Sequence, residues 1–320
     1  MANAKNMSYH GNGTNLYECY AAAVIAVVAW NILFIGLIAN FVLFYLVLKK
    51  LASGRRSDKL HLLNIIVANL FSLFGSLLGE ILARGNIIPS AQTYCLFYHQ
   101  VNFISLFNNL TSMAALCYIL YENIVKFPAN RLFSFSLSLK VTAASWILSL
   151  VLVPACISGF FVAEKEGVGR ICKTNIDQTP TFEESASFFS LIVLVTIWIS
   201  VCATISRISL TGVASKLKQH RKQTQELRIH NNSIVKVVSF NKQAYVMVFS
   251  YSICWIPFGI AAALTAANVI LFHSCVYFAC LVGAHASAAS TPLIYLTIDK
   301  RFRVKCCSNQ KARPRQISVN

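Results

Sequence analysis

Seven apolar stretches, each long enough to cross a bilayer as a helix, constrain this chain more than anything else in it. They lie near 21–48, 60–83, 94–125, 138–162, 186–212, 241–267 and 272–297. About 20 helical residues span roughly 30 Å of hydrocarbon, and a helix satisfies its own backbone where no water can. With 56% hydrophobic and 12% charged residues among 320, a water-soluble fold could not bury so much apolar surface. The expectation is an all-α membrane protein, a seven-transmembrane helix bundle over 21–297. An extracellular tail at 1–20 precedes it, and a short amphipathic eighth helix and cytoplasmic tail follow at 298–320.

The net charge of +17 would suit a nucleic-acid surface, but its distribution follows the spans instead. Lys49, Lys50, Arg55, Arg56 and Lys59 fall in the first connection, and Lys216, Lys218, Arg221, Lys222, Arg228 and Lys236 between spans five and six. Lys300, Arg301, Arg303, Lys305, Lys311, Arg313 and Arg315 fill the tail. The acids Glu164, Glu166, Asp177, Glu183 and Glu184 gather between spans four and five. Basic connections face the cytoplasm, so the N-terminus is expected outside, with membrane lipid rather than nucleic acid as the partner of these charges. The first twenty residues carry no basic leader with a small-residue cleavage site, so the first span is expected to direct insertion. The sequons at Asn6 and Asn12 lie in the outer tail and fit that orientation. The matches at Asn109 and Asn231, in a span and an inner loop, are rejected.

Cys95, at the outer end of span three, and Cys172, in the outer loop after span four, both face an oxidising compartment, which predicts a disulfide. Cys19 and Cys275, both expected outside, could form a second. Cys306 and Cys307, just inside the membrane, are candidate palmitoylation sites. No cysteine–histidine spacing suggests a metal. No paired acids, nucleophile–base pair or phosphate loop suggests catalysis, so no enzyme activity is expected. Inverted repeats and broken helix pairs, the marks of a transporter, are also missing from the pattern.

Span one carries Ala39-Asn40, span two Leu63-Asn64 and Ala68-Asn69-Leu70, and span four Trp146 and Pro154. Span six carries Cys254-Trp255-Ile256-Pro257-Phe258, span seven Pro292-Leu-Ile-Tyr295, and Lys300-Arg-Phe302-Arg303 follows. In that order, on those spans, these segments resemble the rhodopsin-like (class A) G-protein-coupled receptors across essentially the whole chain. The pattern is most similar to opsins, the encephalopsin group included. The resemblance implies a plasma-membrane receptor that transmits an outside signal, small-molecule or lipid-like, to heterotrimeric G proteins. It implies a ligand cavity lined by His285, Trp255, Tyr251, Phe258 and Glu80. Activation would run through Asn69, Glu122, Asn123, Pro292 and Tyr295. Homo- or hetero-oligomers remain open.

The departures from the family matter as much. Light-sensing opsins hold retinal on a lysine seven residues before the span-seven proline; here that position is His285, and span seven has no lysine. An imidazole has no primary amine for a Schiff base, so no covalent retinal cofactor is expected. Asn69 stands in place of the family's sodium-site aspartate, Asn123 in place of the arginine that engages the G protein, and Thr291 in place of the asparagine before Pro292. Span five lacks its family proline and inner tyrosine. These changes keep two other readings open: a receptor-like protein that does not couple conventionally (a decoy, scaffold or constitutively biased form), or a noncovalent retinoid binder.

Several residues admit a plain structural role beside the functional one. His285 can be read as a ligand contact or as a histidine hydrogen-bonded between helices. Glu80 fits an i,i+4 pair with Arg84 better than an inward anchor for a basic ligand or for His285. The polar cluster Asn108, Asn109, Thr111 and Ser112 reads first as interhelical glue.

Overall fold

The computed structural model describes residues 14–52, 57–84, 91–125, 134–157, 161–166, 169–174, 182–226, 232–266 and 275–298. Seven helical spans are present among them. Helix α1 (Thr14–Ala52) forms the first span. The second is continuous from α2 (Ser57–Phe71) through a π-helical stretch, Ser72–Leu77, into α3 (Leu78–Arg84). Spans three to seven are α4 (Ala91–Val125), α5 (Phe135–Ile157), α6 (Phe182–Glu226), α7 (Asn232–Ala266) and α8 (Cys275–Ile298). The chain is a multi-pass membrane protein.

Several boundaries differ from the sequence reading. Span four ends at Ile157, and Phe161–Glu166 forms β1 instead of continuing the helix. It pairs antiparallel with β2 (Gly169–Thr174), in a register that sets Ala163 opposite Cys172. The Gly167-Val-Gly169 run between the strands is a turn signal that apolar length alone overrode. The inner connection from Lys216 to Lys242 is shorter than charge suggests, because α6 runs on to Glu226 and α7 starts at Asn232. Helix α1 also begins at Thr14, inside the stretch assigned to the outer tail. The eighth-helix segment, the sequons at Asn6 and Asn12, and Cys306 and Cys307 lie outside the described residues.

Burial is uneven in the way lipid dictates. The third span is largely enclosed, whereas the outer faces of the first, fourth, fifth and sixth expose large apolar side chains such as Phe34, Ile147, Ile197 and Phe249. Bilayer tails accept these as readily as a protein core would. Inside, Leu43, Leu62, Ile65, Ile66, Leu106, Met113, Met247 and Tyr295 form one layer joining spans one, two, three, six and seven. A second layer, Ala29, Leu33, Leu73, Leu77, Phe278 and Val282, seals spans one, two and seven.

Two glycines set how closely these helices approach. A Cβ on Gly75, in the π-helical stretch, would lie 2.5 Å from Val101 of α4. One on Gly36 of α1 would lie 2.9 Å from Leu73. Small residues at such crossings bring backbones near enough for short polar side chains to bridge them.

Candidate ligand cavity and signalling core

The π-helical stretch in the second span does most to place His285. An extra residue per turn shifts the phase of a helix, and such turns recur at functional sites. Here Ser72 and Ser76 face α8, and the His285 ring sits between them. Ser72 Oγ is 2.8 Å from Nδ1 and Ser76 Oγ 3.1 Å from Nε2. An imidazole carrying one N–H donates to one hydroxyl and accepts from the other, and serine can serve both. His285 is 1% exposed, so its polar atoms are matched within the protein instead of by water. Glu80, also buried, lies on the same span one turn beyond Ser76. The Arg84 side chain is outside the described residues.

Beside this cluster, aromatic rings run along spans six and seven. Tyr251 stacks on Trp255 at 5.7 Å, Trp255 meets Phe258 edge-on at 5.7 Å, and Phe258 leans on Tyr277 at 5.6 Å. Trp255 Nε1 donates to Ser287 Oγ at 3.0 Å, tying the helix that contains Pro257 to the residue two places beyond His285. One turn further in, the Ser250 and Ser290 hydroxyls make a second link at 3.0 Å. Tyr251 is buried, and its hydroxyl has no hydrogen-bond partner among the described residues. The sequence reading named Trp255, Tyr251 and Phe258, which are brought together. It missed Ser72, Ser76, Ser287 and Tyr277. Serines four apart on an apolar helix were the available signal for the first two.

Towards the inner side a chain of amides joins four spans. Asn109 Nδ2 of α4 donates to Asn69 Oδ1 at 3.1 Å, and Asn69 Nδ2 to Asn40 Oδ1 at 3.4 Å. Asn40 Nδ2 donates to the carbonyls of Gly36 and Ala288, both at 2.8 Å. The last contact has a covalent cause. Pro292 has no N–H, so the carbonyl four residues earlier, that of Ala288, loses its helical donor. Asn40 supplies the missing bond from another helix, one way membrane helices accommodate proline.

The rest of the polar cluster on α4 works similarly. Asn64 bridges Ser112 and Trp146 at 2.6 Å each. Asn108 holds Ser145 and Ser149 of α5 at 2.9 and 3.0 Å, and Trp198 of α6 donates to Thr111 at 3.2 Å. These side chains do join helices, as the plain reading expected.

At the inner end Tyr295 is buried, with Lys59 Nζ 5.8 Å from its ring centroid. Lys59, placed by the sequence in the first connection, instead lies within α2, 1% exposed and 3.4 Å from Asp58. Glu122 is buried at the end of α4; the Asn123 side chain lies outside the described residues. So do the side chains of Cys19, Cys95 and Cys172, although the hairpin that includes Cys172 rests against α3 and α4. No cluster of three metal-ligating side chains occurs among the described residues.

No family model matches the chain. It is 26% identical to the substance-P receptor of Meriones unguiculatus over 235 residues, 67% of this chain and 54% of that receptor. It is 24% identical to the rhodopsin of Scyliorhinus canicula over 306 residues, 90% of this chain and 80% of that protein. The crystal structure of squid rhodopsin superposes with a TM-score of 0.66 at 19% identity, covering 88% of this chain and 82% of that one. In sequence and fold, the chain is class A receptor-like. The proteins it resembles are receptors and a rhodopsin. The match to the substance-P receptors spans about half of their length.

Proposed function

We propose that the chain is a plasma-membrane receptor of the rhodopsin-like class. On this reading it binds an extracellular small-molecule or lipid-like ligand without a covalent bond and passes the signal to heterotrimeric G proteins. The N-terminal tail is outside and the basic connections are inside, on the charge distribution already described.

The observation that carries the reading is the junction at Trp255. This ring joins the sixth span, which contains Pro257, to Ser287 of the seventh, two residues from the buried His285. A ligand above it, among Phe258, Tyr277 and His285, would change the contacts that hold spans six and seven together. The amide chain on Asn69 and the buried Tyr295 would carry the change inward. A ligand moves such an equilibrium only through different contacts in the two states, and on this reading it would do so by altering the Trp255–Ser287 link. Retinal attachment has no place in the scheme, because His285 stands where the lysine would be.

The test expresses the full chain in cells and reads separation of Gα from Gβγ while small amines, lipids and retinoids are screened. Wild type should respond to at least one class and lose the response in Trp255→Ala at equal surface level. The proposal fails if wild type shows neither basal nor evoked activity while Asn123→Arg creates it. The chain would then be a receptor-like protein that does not couple.

A further inference from the structure

Charged side chains at membrane depth almost always face the bundle interior, because hydrocarbon solvates them poorly. Arg207 does the opposite. It lies in the fifth span, whose apolar window is Thr196–Lys216, and it is exposed on the outer face of the bundle. Nine residues separate it from Lys216, about 13 Å along the helix axis. No salt bridge joins it to an acid among the described residues.

Its setting is polar on an otherwise apolar face. Thr204 and Thr211, three residues before and four after, are exposed beside it, while Val201, Ile205 and Ile208 face lipid around them. An open groove of about 430 Å3 runs along Thr204, Arg207, Ile208, Thr211 and Gly212. The groove ends where α6 meets α4: a Cβ on Gly212 would lie 2.6 Å from the Tyr121 ring. Thr204 Oγ1 donates to the Ser200 carbonyl at 2.7 Å, which leaves the guanidinium as the strongest donor in the groove.

We propose that this groove binds the headgroup of an anionic phospholipid from the leaflet nearer Lys216. The planar guanidinium matches a phosphate with two parallel N–H bonds. The groove opens towards hydrocarbon, so the anions that reach it are those anchored in the bilayer. The arginine stem covers part of the depth by snorkelling, and local thinning of the bilayer around a buried cation covers the remainder. The site does not depend on signalling, and the leaflet is cytoplasmic if the orientation proposed above holds.

The full-length protein in phosphatidylcholine nanodiscs, doped with a photoreactive phosphatidylserine, provides the test, with labelled peptides mapped after illumination. Label should concentrate on residues 204–212. It should fall roughly five-fold in Arg207→Leu, since one cation near the membrane surface is worth about that factor, and less in Arg207→Lys, which keeps the charge without the fork. Nucleotide exchange on G protein is read separately, so failure here and failure of the receptor reading are distinguishable. If Arg207→Leu does not fold, Arg207→Gln makes the same comparison. The proposal is overturned if phosphatidylserine labels the segment no more than a photoreactive phosphatidylcholine does, or if Arg207→Leu labels as strongly as wild type. It is also overturned if the segment crosslinks to a second copy of the chain instead of to lipid.

Discussion

Replacing Asn40 by leucine removes the amide that serves the Ala288 carbonyl while keeping the branched shape of the side chain. Two interhelical bonds go with it, the 2.8 Å bond to Ala288 and the 3.4 Å bond from Asn69. Such bonds within membranes average about 0.6 kcal/mol and reach about 1.7. Leaving a buried carbonyl unsatisfied adds about 1–3 kcal/mol. The shorter bond carries most of this, so Asn40→Leu should cost about 2–4 kcal/mol. Pro292→Ala changes that figure, because the new N–H at 292 can itself donate to Ala288. In that background Asn40→Leu should cost only about 0.5–1 kcal/mol, the share of the longer bond. The double-mutant cycle then gives a coupling of about 1.5–3 kcal/mol. Reversible unfolding of the purified variants in mixed detergent micelles measures all four corners. If Asn40→Leu costs the same with and without the proline, Asn40 does not compensate for Pro292 and the reasoning fails.

Other predictions address the neighbouring contacts. Gly75→Ala should destabilise by about 1–3 kcal/mol through overpacking against Val101, and Val101→Ala should recover much of the loss; no rescue in thermal unfolding would dissociate the effect from that crossing. His285→Leu should cost about 1–3 kcal/mol by stranding two buried serine hydroxyls, and should cost less in a Ser72→Ala, Ser76→Ala background. Equal costs in the two backgrounds would show that the serines are satisfied elsewhere. Trp255→Phe keeps an aromatic ring but loses the indole N–H and its bond to Ser287. It should weaken ligand-evoked signalling more than surface expression, and an unchanged dose–response would remove that bond from the transmission path.

Much of this architecture was legible in the sequence, for a physical reason. Lipid forces each crossing to be a long apolar helix, so length and charge alone located seven spans. Trp255, Pro257, Pro292 and Tyr295 were readable because they sit on those spans in a familiar order. What escaped depends on phase and proximity. The π-helical turn at Ser72–Leu77 has no strong local signature, so the facing of Ser72 and Ser76 onto His285 could not be read. Lys59 was placed in the first connection by its charge; in the fold it belongs to α2 and is buried with its amine over the Tyr295 ring. The hairpin at Phe161–Thr174 was lost to an apolar run that continues past the end of span four.

The proposed function turns on His285, held against the second span where an opsin would carry its lysine, so that retinal has no Schiff-base attachment at this position. Absorbance spectroscopy after incubation of the purified chain with 11-cis-retinal tests it most directly. The spectrum should show free retinal only, with nothing retained by the protein as a protonated Schiff base after acid denaturation. A visible band that shifts to that species on acidification would mean that an amine of this chain holds the chromophore, and would contradict the account.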